Sequence, residues 1–155
     1  MNLDLGTALV SAARAEAMSL GVPMAIAVVD TGGALVAFAR MDGTPFPLAE
    51  VAIGKAYTAA AFARPSAEVA EVFAGRVQFT TSISVATDGR VMFSKGGVPV
   101  FADGALIGGI GASGGTGQQD LTVVEAAVAS VLPTEATSLP TEATSLPAGV
   151  ASSAH

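Results

Sequence analysis

K-G-G-V-P-V-F-A-D-G-A-L-I-G-G-I-G-A-S-G-G-T-G-Q-Q-D, residues 95–120, is the stretch whose reading decides the fold. Half of the chain's 18 glycines fall within it. Glycine is favoured where φ must be positive or where another group approaches the backbone closely. Apolar β-formers are interleaved with these glycines, so the stretch reads as a packed seam or a binding surface and not as a linker. Asp103-Gly104 is a hairpin-turn signal, which predicts strands over 98–101 and 105–112. Gly109, Gly111 and Ser113 share one parity, and alternate side chains of a strand share a face. That face is therefore locally flat and suits either a close-packed helix or a flat ligand. Glycine within a strand commonly marks close backbone approach, which favours the helix.

Working outward, Thr116 and Gln119 have capping-box spacing and Asp120 falls in the first turn, so a helix is predicted over 118–131. Upstream, Leu5, Ala8, Leu9, Ala12, Ala13 and Leu20 recur at helical spacing over 3–20, closed by Gly21 and Pro23. M-A-I-A-V-V-D, 24–30, is a continuous apolar run that suits a strand covered on both faces. Thr31-Gly32-Gly33 turns it into a second strand over 34–40. A helix follows over 48–63, with Leu48, Val51, Ala52, Lys55, Ala59 and Phe62 in one stripe. Pro65-Ser66 starts a short helix to Phe73, with Ser66 as its N-cap and Gly75 at its end. Residues 76–87 read as strand or loop, and 90–93 as a short strand after the Asp88-Gly89 turn. The sum is an α/β (α+β) single domain with about five strands. From residue 132 the heptad L-P-T-E-A-T-S occurs twice, a Pro/Thr-rich repeat without helix or strand period. The division is thus a folded domain over 1–132 and a repeat tail over 133–155.

Composition removes several functions. The chain has no cysteine and a single histidine, His155, its last residue. Disulfides, thiolate metal sites and a Cys nucleophile are excluded, and no metal site is expected. Net charge is -6 with seven scattered Lys and Arg, so the basic patch of a nucleic-acid partner is missing. No apolar run reaches the length of a membrane span. Asp4 falls early and no basic leader region precedes an apolar core, which predicts a cytoplasmic protein. At 51% hydrophobic and 13% charged, the chain suits a homo-oligomer whose interfaces cover apolar area.

Gly111-Ala112-Ser113-Gly114-Gly115 matches G-x-S-x-G between a strand and a helix. The Ser-His-Asp logic needs a histidine base, and only His155 is available, so the plain turn reading prevails. The same loop precedes a helix N-terminus, where either unpaired N–H groups form an anion site for a carboxylate or propionate, or the glycines only turn the chain. Lys55 sits inside an apolar stripe. It is either a snorkelling side chain or an ammonium aimed into a pocket to pair an acid or a ligand anion. Asp30, Arg40 and Asp42 stand at strand ends, where an ion-pair network is the plain alternative to a site.

The blocks G-V-P-M-A-I-A-V-V-D-T-G-G (21–33), A-R-M-D-G (39–43), K-A-Y-T-A (55–59), G-G-V-P-V (96–100), D-G-A-L-I-G-G-I-G-A-S-G-G (103–115) and Q-D (119–120), in this order, resemble the GlcG/HbpS-like haem-binding family, which includes PduO C-terminal domains. The resemblance covers roughly residues 5–132. It implies a central, largely antiparallel sheet flanked by helices, homo-oligomers, and haem as the candidate cofactor. Many relatives carry His directly after the double glycine of the first hairpin. Here that residue is Ala34, and the domain has no histidine, which leaves Thr, Tyr57 or Met as weaker ligands. The pocket candidates implied are Asp30, Arg40, Asp42, Lys55, Thr58, Gly96, Gly97, Ser113 and Gly114.

The first functional reading is a small-molecule-binding protein for haem or a related tetrapyrrole. Lys55 and Arg40 would hold acidic groups, and the flat Gly109/Gly111 face would accept a planar ring. The second is a cofactor-independent isomerase or lyase on a small oxygenated metabolite, with Lys55 as base or electrostatic stabiliser, Asp30 or Asp42 tuning it, and Lys55, Arg40 and Asp42 as the candidate catalytic set. The third is a structural oligomer. Because the repeat carries no core pattern, truncation after Leu132 is expected to leave a domain with a cooperative thermal transition, measurable by circular dichroism.

Overall fold

A computed structural model of the chain describes residues 1–132; the repeat tail lies outside the described residues. The elements, in order, are α1 (Leu3–Leu20), β1 (Ala25–Val29), β2 (Leu35–Arg40), α2 (Pro47–Phe62), α3 (Ser66–Val72), α4 (Val77–Ala86), β3 (Gly97–Ala102), β4 (Ala105–Ser113) and α5 (Gly117–Val131). The strands form one antiparallel sheet in the order β2-β1-β4-β3. The sheet has four strands and not five, because 91–93 runs without ladder pairing. Those residues are held instead by a side chain: Met92 N–H donates to Thr58 Oγ1 at 2.7 Å.

The two faces of the sheet differ in residue size. All five residues of β1 are buried, as its apolar run predicts for a central strand. Ile26 and Val28 face α1 and α5, where they meet Leu9, Val10, Ala13 and Ala17 from α1 and Val123, Val124, Ala127 and Val128 from α5. Ala25, Ala27 and Val29 face α2, against Ala52, Ala56 and Ala60. The α1 stripe is thus centred on Leu9, Ala13 and Ala17; Ala8 and Leu20, assigned to it from spacing alone, are exposed. The helix ends in the expected way, with Gly21 in the left-handed region at φ 69°.

Helix α2 lies at backbone contact with β3 and β4. A Cβ on Gly97, Gly109 or Gly111 would overlap the carbonyl oxygen of Lys55, Ala56 or Ala52 respectively. The flat face therefore packs a helix. The expectation that it accepts a planar ring is corrected, since α2 fills that space. Small residues at 52, 56 and 60 recur once per turn and present the matching small surface. The hairpin between β3 and β4 turns at Asp103 (φ 49°) and Gly104 (φ 75°), both left-handed as a two-residue primed turn requires.

Residues 77–86, ambiguous by sequence, are helical, yet α4 has no buried residue. Its anchor is an aromatic cluster: Phe73 packs against Phe62, Phe79 and Phe93, with centroids 5.7, 4.6 and 6.2 Å away. The Arg76 guanidinium covers the Phe73 and Phe79 rings. Ser66 is the first residue of α3 and not its cap. It accepts from Gly97 N–H at 2.9 Å and donates to Ser94 C=O, tying α3 to the start of β3. The α5 capping box forms as predicted, from Thr116 and Gln119.

The glycine contacts yield a direct test. Gly111→Ala places a methyl group against the Ala52 carbonyl and should destabilise the protein by roughly 1–3 kcal/mol, read from urea unfolding midpoints at unchanged m-value.

Candidate functional site

The site candidates fall into three places. The first is interior. Lys55 and Asp120 are each 2% exposed, and Lys55 Nζ donates to Asp120 Oδ2 at 2.8 Å and to Ala112 C=O at 2.9 Å. Asp120 Oδ1 accepts from Gly115 N–H at 2.9 Å. Helix α2 delivers Lys55 because residue 55 lies on its sheet-facing side, next to Gly97 and Gly111. Gly96 completes the junction. At φ 123°, a Cβ there would fall 2.7 Å from Asp120 Cβ and 3.0 Å from Lys55 Nζ. Sequence spacing anticipates an acid partner for Lys55, and Asp120 is that acid, 65 residues away in the chain. It is the one salt bridge among the described residues.

This junction also answers the helix N-terminus. The N–H groups of Gly115 and Thr116 are accepted by Asp120 Oδ1 and Gln119 Oε1, and Gln119 N–H by Thr116 Oγ1. The anion expected at this loop is the protein's own carboxylate. Thr58, fully buried, donates to Gly54 C=O and accepts from Met92 N–H. Ser113 and Gly114 close β4, with Ser113 buried and Gly114 against the Pro23 carbonyl.

The second place is a surface cleft of about 390 Å³ between the C-terminal half of α1 and the end of β2, lined by Arg14, Met18, Ala39, Arg40, Met41 and Asp42. Arg40 Nη1 donates to Thr44 C=O at 2.7 Å. The Arg40–Asp42 ion pair allowed by the sequence does not form. Arg40 and Asp42 are thus in a different part of the molecule from Lys55.

The third place is the β1–β2 turn and the strand that follows it. Asp30 Oδ1 accepts from Gly32 N–H and Ala34 N–H at 2.9 and 3.0 Å, which shapes the turn. The Tyr57 ring from α2 rests on Gly33, where a Cβ would fall 2.5 Å from two ring carbons. Arg90 stacks on the same ring, 4.7 Å from its centroid. Strand β2 is the sheet edge. Leu35 and Phe38 pair with Val29 and Ala27, so their side chains project to the face that α2 covers further in. Here that face is open: Leu35 is 51% and Phe38 38% exposed. Sequence reasoning did not single out Leu35, Phe38 or Arg90. Only their position beyond the edge of α2 marks them.

Known proteins of this fold were compared with the chain. The family model described as haem degrading protein HbpS-like matches residues 1–129. Protein GlcG of Escherichia coli K12 is 37% identical over 114 residues, which cover 73% of this chain and 81% of that protein. A crystal structure of a PduOC–haem complex superposes with a TM-score of 0.73 at 30% identity, covering 83% of this chain and 93% of that one. Streptomyces reticuli HbpS, as a double mutant, gives a TM-score of 0.73 at 29% identity, covering 84% and 86%.

The interior pair gives a clean cycle. Lys55→Met or Asp120→Leu alone leaves an unpaired buried charge and should cost about 3–5 kcal/mol, while the double replacement should recover most of that loss. Equilibrium unfolding of the three variants measures the coupling.

Proposed function

The chain belongs to the HbpS-like family, and on that footing we propose that it binds haem or a related planar tetrapyrrole on the part of β2 that α2 leaves open. One observation carries this reading. Two apolar side chains, Leu35 and Phe38, are exposed on an edge strand whose last residue is Arg40. Soluble proteins seldom leave such area open without a ligand or partner for it. A flat apolar macrocycle with carboxylate side groups matches exposed apolar side chains on a strand that ends in an arginine, whose guanidinium binds carboxylates well. The haem complex of the PduOC relative supports the same ligand class.

The residues present fit the macrocycle and its carboxylates. They do not fit an imidazole- or thiolate-ligated iron, because the described residues contain neither histidine nor cysteine. Leu35 and Phe38 would hold the ring and Arg40 an acidic group; bound haem would supply a redox-active iron. Lys55 takes a positioning role in this reading. Its ammonium is engaged by Asp120 and Ala112, which holds α2 inward and leaves β2 uncovered. A second copy of the chain is part of the proposal, since α4 has no buried residue while Val77 and Val85 are 71% and 74% exposed. Among the described residues no helix is long and apolar enough to cross a membrane.

Hemin titration followed by visible absorption tests the site. The wild-type protein should show a sharp Soret shift that saturates at fixed stoichiometry. Phe38→Glu should weaken binding by about tenfold or more, and Arg40→Gln by a few-fold. A broad unsaturating band, or equal binding by all three proteins, would sink the site.

A further inference from the structure

We infer that Tyr57 supplies the oxygen ligand to the iron of a ferric tetrapyrrole held on β2, an inference that rests on the binding reading above. With no histidine or cysteine in the described residues, the remaining donors are carboxylates, amines, hydroxyls, thioethers and one phenol. Most of these near α2 are already engaged. Thr58 Oγ1 bonds Gly54 and Met92, Ser66 Oγ bonds Ser94 and Gly97, and Met41 Sδ accepts from Met24 N–H at 3.4 Å. Lys55 Nζ is bound to Asp120 and Ala112.

Tyr57 is the chain's only tyrosine, and its surroundings hold the ring in place. Gly33 gives the ring a seat that any side chain would fill, and Arg90 stacks on it. The ring is half-buried, one helical turn beyond Ile53, which packs on the alanine face of β1. The ring meets Gly33, two residues before Leu35, and so lies at the turn from which the exposed strand starts.

Phenolate oxygen is an established ligand class for ferric haem. Binding would form an O–Fe bond as the phenol O–H proton leaves to solvent, a proton release common to metal–ligand formation. No change in oxidation state is involved. The guanidinium of Arg90 stands where it offsets the charge of the bound phenolate.

The test titrates hemin and iron-free protoporphyrin into the full chain and into Tyr57→Phe, which keeps the ring on Gly33. The wild-type hemin complex should carry a phenolate-to-iron charge-transfer absorption and tyrosinate bands in resonance Raman spectra. Tyr57→Phe should lose both signatures and bind hemin roughly tenfold or more weakly, while protoporphyrin binds both proteins alike. If both ligands bind both proteins with the same spectra and affinities, Tyr57 is not the ligand and the tetrapyrrole site stands. Equal weakening of hemin and protoporphyrin in the variant would make Tyr57 a ring contact and overturn its ligand role. If the wild-type protein takes up neither ligand, the binding reading and this inference fall together.

Discussion

Helix α2 rests on the sheet with its carbonyl oxygens against the Cα atoms of Gly97, Gly109 and Gly111. At such contact no side chain separates helix from sheet, and the attraction is dispersion summed over many backbone and methyl atoms. The arrangement imposes small residues on both partners: Ala52, Ala56 and Ala60 on the helix, Ala25 and Ala27 on β1, and glycine on β3 and β4. The bulk needed for a core is moved to the other face, where α1 and α5 cover Ile26, Val28 and Ile110. One helix lying this close cannot also cover the fourth strand, so β2 keeps an open face.

The Lys55–Asp120 pair secures the end of this seam. Burying two charges carries a desolvation penalty that their attraction repays only with good geometry and further hydrogen bonds. Both conditions are met, through the Ala112 carbonyl and the Gly115 N–H. The pair joins α2, β4 and the start of α5 at one point. An ammonium held there by two acceptors is suited to fixing a position.

The fold is shared with HbpS and with a PduOC protein solved in complex with haem. A shared fold leaves function to the local site. The local facts of this chain are the absence of histidine from the described residues, the ring of Tyr57 against Gly33 and Arg90, and the exposed Leu35 and Phe38 on the edge strand.

Much of the architecture is written in short-range pattern. The β1 run, the Asp103-Gly104 turn, the Thr116/Gln119 box and the close-packing glycines are local signals, because each reports a backbone constraint satisfied within a few residues. Residues 77–86 gave no such signal: α4 buries nothing, so its sequence carries no core stripe to read. Ser66 has the residue type of a cap, but its hydroxyl is claimed by Ser94 and Gly97, about thirty residues on. By itself, then, the sequence determined the elements other than α4 and the unpaired 91–93 segment, and it favoured a helix over the glycine face. The tertiary structure decided that Lys55 faces Asp120, that Arg40 and Asp42 form no ion pair with it, and that Leu35 and Phe38 are exposed on the edge strand while Tyr57 rests on Gly33. Those outcomes depend on which side chains meet across the fold, and sequence spacing carries no information about contacts between segments until helix and sheet have packed.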